Sequence, residues 1–213
     1  MSAIGPKTTP TNAINYDSAK AVIKQQRIKL KAGLDKKTIR YDSVGRAFTD
    51  YLVNDIFPYW YGTTWDFNGY TAIPQQGAIA CGYFVSTTLL HNGVKLNRYK
   101  MAQKSSMDGA LMLEPKDSLY IKRSSRDIFL SEFKKTHKNG LYMVGLSNHV
   151  GYLYKQDNAV YFIHSSYVTP VAVVIEDAAT SVALGYSTIF VVADITYNEE
   201  LMQKWLNGTT VPH

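Results

Sequence analysis

The chain holds one cysteine, Cys81, and five histidines, of which His149 and His164 lie where they could meet it. One thiol closes no disulfide within the chain and builds no cysteine zinc cluster or iron–sulfur centre alone, so Cys81 serves either packing or reactivity. It follows the run Gly77-Ala78-Ile79-Ala80 and opens the segment CGYFVSTTLLHNG, in which Phe84, Val85, Thr88 and Leu89 share a helical face and Gly93 supplies a stop. A sulfur at a helix N-terminus meets free backbone N–H groups and the positive dipole end. Both favour the thiolate, and with an imidazolium nearby they can bring a thiol pKa from about 8.5 into the ~3.5–7.5 range.

A hairpin brings the histidines together. The turn Lys155-Gln156-Asp157-Asn158 joins HVGYLY to AVYFIH, and symmetric pairing of Tyr154 with Ala159 sets His149 directly opposite His164. The two would share one face with Cβ atoms ~4.5–5.5 Å apart, whereas a one-residue bulge would send them to opposite faces. One ring can then take the thiol proton while the other orients it through the remaining nitrogen, which is the arrangement for nucleophilic catalysis. Taken singly, a cysteine flanked by Ile79 and Phe84 reads as a small buried hydrophobe, and either histidine as a structural residue. Their coincidence carries the catalytic reading. As metal ligands the histidines lack a third partner at a recognisable spacing. No His-Glu-x-x-His, P-loop or dinucleotide glycine pattern occurs either, so neither a metal nor a cofactor is expected.

The elements that must position these groups are legible in composition and periodicity. Of 213 residues 46% are hydrophobic, 13% aromatic and 19% charged, which describes a globular chain rather than a disordered one. The 23 Lys and Arg exceed 17 Asp and Glu to give a net charge of +6, so anionic partners are favoured, nucleic acid and cell-wall polymer alike. No apolar run approaches the ~18 residues of a membrane span. Residues 1–15 read as a flexible leader without the apolar region of a signal peptide, and 16–213 as a single domain with an extra helical N-terminal region over about 16–55. A basic helix starts at Asp17 or Ser18 and stops at Gly33, and its lysines and arginines read as a solvated face rather than a nucleic-acid contact. A second helix carries Val44, Phe48, Tyr51, Leu52 and Ile56 before Pro58. The aromatic stretch 58–77 is expected to be a long loop, with Tyr59, Trp60, Tyr61 and Trp65 either walling a substrate groove or capping a core. Helices follow at about 96–104, 125–138 and 199–206. After Gly140, short runs rich in Val, Ile and Tyr read as strands. Helices first and strands second predict an α+β fold with helices on one face of an antiparallel sheet.

In this order the chain resembles the NlpC-type cell-wall cysteine peptidases of the papain-like superfamily. The matching pieces are Pro58-Tyr59-Trp60-Tyr61-Gly62, Ala80-Cys81-Gly82-Tyr83-Phe84-Val85, His149-Val150-Gly151-Tyr152-Leu153 and Phe162-Ile163-His164-Ser165, within roughly 55–195. The resemblance implies a papain-like domain whose N-terminal helices pack on a C-terminal antiparallel sheet of about five to six strands. Cys81 would be the nucleophile, His149 the general base, His164 the orienting group, and Tyr59 an oxyanion donor beside the Cys81 N–H. Comparison with other papain-like enzymes offers Gln76 or Gln75 for that last task. Ala80 and Gly82 stand where the family has Asp and Ser, which removes polar groups that grip the free amine of a stem peptide. The implied activity is cysteine amidohydrolysis of peptidoglycan stem peptides through a thioester, in a bacterial protein that is periplasmic or secreted if the wall is its substrate. A noncatalytic module holding a wall fragment or protein partner on the same scaffold is the alternative.

Overall fold

The computed structural model describes residues 6–9 and 15–212, so most of the expected leader lies outside the described residues. Helix α1 (Tyr16–Asp35) is capped two residues before Asp17, where the Asn15 side chain accepts the Ser18 N–H at 2.8 Å, and it runs through the expected stop at Gly33 to Asp35. Helix α2 (Tyr41–Asp50) runs into a π-helical segment, Tyr51–Ile56, and on into α3 (Phe57–Trp60). The sequence places the helix end before Pro58, yet the rod passes through it. Proline inside a helix lacks an N–H and crowds the carbonyl four residues back. Widening the preceding turn, where Phe57 N–H bonds Leu52 O, makes room for it. After a long irregular segment over 61–80 come α4 (Cys81–His91), α5 (Arg98–Ala102) and α6 (Ser106–Leu113).

Six strands form one antiparallel sheet: β1 (Tyr120–Arg123), β2 (Gly140–Gly145), β3 (Val150–Gln156), β4 (Ala159–Ser165), β5 (Val173–Asp177) and β6 (Ile189–Asp194), in the order β1-β6-β2-β3-β4-β5. Strand β1 precedes α7 (Arg126–Thr136) and has no counterpart in the sequence reading, because four residues at a sheet edge show too little alternation. Helix α8 (Val182–Gly185) precedes β6, and α9 (Glu199–Asn207) closes the chain.

The period-2 alternation of side chains gives the sheet two buried faces. Leu141, Met143, Tyr152, Ile163 and Val191 pack with Phe84, Val85 and Leu89 of α4 and with the α1, α2 and α9 helices. Tyr142, Val144, Leu153, Phe162 and Phe190 pack instead with Phe129 and Phe133 of α7 and with Ala183 and Leu184 of α8. The expectation of helices on one face is therefore corrected to helices on both. Phe129 and Phe190 stack with ring centroids 4.0 Å apart, and this second layer holds the strand segment that carries His164. On the first layer, buried Tyr152 ties α4 to β3 by a bond to Val85 O and a shared bond with Thr88 Oγ1, each 2.9 Å. Among the described residues no helix is long and apolar enough to cross a membrane.

Candidate active site

Cys81 is the first residue of α4, and its N-cap, Ala80, has no side chain to take up the first N–H groups. Those groups serve the sulfur instead: the N–H groups of Cys81 and Gly82 and of Val150 from β3 all lower the thiol pKa. Burial nevertheless outweighs them and pushes the thiol above its usual range. The resting sulfur is thus a protonated thiol, not the thiolate expected from the helix terminus. Gly82 is required by packing, since a Cβ there would lie 2.4 Å from the Ala102 carbonyl oxygen at the end of α5. The serine that the family carries would not fit.

Upstream of Cys81 the chain is fastened at several points. Ile79 N–H bonds Thr64 O, Ala80 N–H bonds Gly69 O, and Ser165 Oγ donates to Ile79 O at 2.7 Å. Arg98, 7% exposed, clamps the same segment: its guanidinium donates to the carbonyls of Tyr70 and Thr71 and to Thr87 Oγ1, between the rings of Tyr83 and Tyr99. Arg98 is invisible in the sequence, because an isolated arginine near a helix start carries no local signature.

The β3–β4 hairpin differs from the expected one by two residues. Gln156 pairs with Ala159 across the two-residue turn Asp157-Asn158, with Asp157 at φ 50°. Asn139 holds this turn by accepting Asp157 N–H and donating to Asp157 Oδ1. Carried back from Tyr152 and Ile163, this register places His164 opposite Gly151 rather than His149. A shift of two keeps both histidines on one face, and the diagonal spacing remains within reach of long side chains. His149 Nε2 and His164 Nδ1 are 2.8 Å apart. Gly151 makes this possible, since a Cβ there would lie 2.8 Å from His164 Cβ and 2.7 Å from the Phe162 ring. Gly151→Ala is expected to displace the His164 ring and lower turnover about 10²-fold, the scale of a misplacement of about 1 Å. Steady-state kinetics on a folded variant would check this.

A fourth residue completes the chain of contacts. His164 Nε2 lies 3.1 Å from Glu176 Oε1 on β5. Burial raises the Glu176 pKa, but hydrogen bonds from His164 and Ser181 outweigh it and hold the carboxyl below its usual range. An ionised carboxylate only accepts, so His164 Nε2 bears the hydrogen. Burial holds His164 and, more strongly, His149 below the ordinary imidazole pKa, so both are neutral. Neutral His164 then accepts at Nδ1, His149 donates from Nε2, and His149 Nδ1 keeps its lone pair. The His164 ring is fully buried and stacked on Phe162 at 4.0 Å. It lies on the α7 side of the sheet, while Cys81 belongs to the α4 side. His149, immediately before the first residue of β3, connects the two layers around the strand end.

Two cavities meet at Cys81. One, of about 260 Å³, is lined by Cys81, His149, Val85, Met101, Gly109 and Met143 among others. The other, of about 710 Å³, is flanked by Trp65, Phe67, Tyr70, Tyr83 and Tyr167 together with Cys81 and His149. Compared with known protein families, curated proteins and solved structures, the chain matches none. Its site is therefore described by its own geometry.

Cys81, His149 and Trp65 line one cleft, while His164 is fully buried behind His149 and lines neither cavity. The remaining expected residues lie outside both cavity linings. Trp60 is fully buried, with its indole N–H on Tyr16 Oη, and belongs to the core. Tyr59 packs its ring 5.1 Å from that of Tyr16. Tyr61 has its hydroxyl oxygen buried without a hydrogen-bond partner. Gln76 is exposed, while Gln75 bonds Thr63 Oγ1 through its N–H and the Tyr59 carbonyl through its amide. These five residues follow from motif order or from an aromatic cluster, neither of which fixes where a side chain points. Among the described residues no group of three or more His, Cys, Asp or Glu is arranged to hold a metal ion.

Proposed function

We propose that the protein is a cysteine amidohydrolase that forms a thioester at Cys81, with peptidoglycan stem peptides as the substrate class that the resemblance implies. One observation carries this reading: the ordered contacts from His149 through His164 to Glu176, which leave the lone pair on Nδ1 of a histidine that lines the same two cavities as Cys81. Buried imidazoles in series ending on a carboxylate cost desolvation that a purely structural core has no need to bear.

The chemistry follows from the protonation pattern. As the sulfur attacks the scissile carbonyl, its proton passes to His149 Nδ1, and the resulting imidazolium is stabilised through His164 by the Glu176 charge. The oxyanion gathers charge beside the N–H groups that begin α4. His149 returns the proton to the leaving amine, which departs and leaves the acyl group on sulfur. Water, deprotonated by the same nitrogen, then opens the thioester and releases the acid. Cleft aromatics such as Trp65, Phe67 and Tyr70 suit an extended ligand carrying apolar surface.

Incubating the protein with defined muropeptides and weighing the products by mass spectrometry tests the proposal. The parent should release an acyl fragment, while Cys81→Ala should release none and retain binding. Cleavage by Cys81→Ala would sink the cysteine mechanism. Fragment binding without cleavage by the parent would favour the noncatalytic module.

A further inference from the structure

Where a substrate spans two cavities, the bond to be broken lies at the waist between them. Here the residues common to both linings are Cys81, Gly82, Ala102, Asn148 and His149. The nucleophile and base account for two of them, and Gly82 and Ala102 offer only backbone. Asn148 is left as the side chain at the waist with an uncommitted N–H donor. Its exposed amide has no hydrogen-bond partner among the described residues, whereas the hydroxyl of its neighbour Ser147 meets Ser187 Oγ and accepts the Thr188 N–H.

The backbone that presents Asn148 is fixed. Ser147-Asn148 forms the tip of the β2–β3 hairpin, closed by Leu146 N–H on His149 O at 2.8 Å. Ser147 N–H bonds Ser187 Oγ at 3.1 Å, the two serine hydroxyls are 3.3 Å apart, and buried Ser187 in turn donates to Ile189 O. One side of the tip is thereby tied to the start of β6, and Asn148 is left facing the cleft. The backbone at Asn148 is thus anchored, while its exposed side chain stays free to turn its amide toward a charge that develops at Cys81.

We infer that the Asn148 side-chain amide is a catalytic residue: it donates to the oxyanion of the tetrahedral intermediate, together with the backbone N–H groups at the start of α4. It takes the task that motif order gave to Tyr59 or Gln76, both of which lie away from the cleft. This inference rests on the thioester reading above and adds a residue to it.

The test compares two reactions of Cys81. Acylation by p-nitrophenyl acetate builds an oxyanion, whereas alkylation by iodoacetamide displaces iodide and builds none. In Asn148→Ala, acylation should slow about 10²–10³-fold, the usual loss for one oxyanion donor, with alkylation unchanged. The peptide aldehyde acetyl-Ala-Ala-aldehyde, whose thiol adduct resembles the intermediate, should bind Asn148→Ala more weakly by a similar factor. Asn148→Gln, which keeps the amide on a longer arm, should recover part of the rate. Acylation within threefold of the parent in Asn148→Ala would overturn the role while leaving the thioester mechanism standing. Equal losses in acylation and alkylation would show a collapsed turn and overturn it as well. If the parent and Cys81→Ala are equally inert to the ester, the thioester reading fails, and this role with it.

Discussion

His149→Ala should lower turnover on the order of 10⁶-fold, because nucleophile and base act as one unit and the loss of either forfeits most of the rate. His149 is buried at 5% exposure and, among the described residues, makes a single side-chain hydrogen bond, to His164, so circular dichroism should report an intact fold. The pH dependence follows from the same geometry. Burial and, secondarily, the neighbouring His164 hold the His149 pKa well below the ordinary imidazole value. A lowered pKa keeps the basic form present as pH falls through about 6.5, so the parent should keep its turnover in mildly acidic solution and lose it only below that range. At the alkaline end, burial raises the thiol. Without His149, alkylation of Cys81 by iodoacetamide should therefore rise only above the range of a free thiol. An acid limb at or above 6.5 in the parent would contradict the neutral, buried base.

The second large effect concerns a residue that never touches the substrate. Glu176→Gln should reduce turnover on the order of 10³–10⁴-fold, more than Glu176→Ala does. The Ser181 hydroxyl accepts Leu184 N–H and donates to the Glu176 carboxylate. With glutamine in place, Ser181 holds the carbonyl oxygen and the amide NH₂ faces His164 Nε2. His164 must then accept at Nε2 and donate from Nδ1, which forces His149 to accept at Nε2 and to carry its hydrogen at Nδ1, where the thiol proton has to arrive. The wrong tautomer of a well-placed base has cost about 10⁴-fold in a serine protease. Alanine removes the charge but imposes no donor, so its loss should be smaller. Nitrogen-15 spectra of the histidine rings would show which atom bears the hydrogen, and an unchanged pattern in Glu176→Gln would refute the relay.

The sequence made much of this legible, and each failure has a physical source. The helix beginning at Cys81 follows from its apolar spacing and the Gly93 stop, and the observed α4 ends within two residues of that glycine. The five strands after 139 were visible as β-branched and aromatic runs. The hairpin register was missed because Lys155 and Gln156 look like turn residues. Lys155 instead stays in the strand, 7% exposed, by donating to Asn139 and to the Asp157 carbonyl. The histidine pairing survived because the error was even. Glu176 was overlooked because it sits in an apolar strand, and only the β4–β5 register shows that it reaches His164. Asn148 follows from the meeting of two cavities, which no local pattern records.

Chain order has a consequence for synthesis. Cys81 leaves the ribosome long before His149, and Glu176 comes last of the four. A growing chain that has already displayed its sulfur lacks the paired imidazoles that would relay its proton during catalysis until β3, β4 and β5 have emerged and paired. Turnover therefore waits on the last strands, and truncated products ending before β5 lack the carboxylate that anchors the relay.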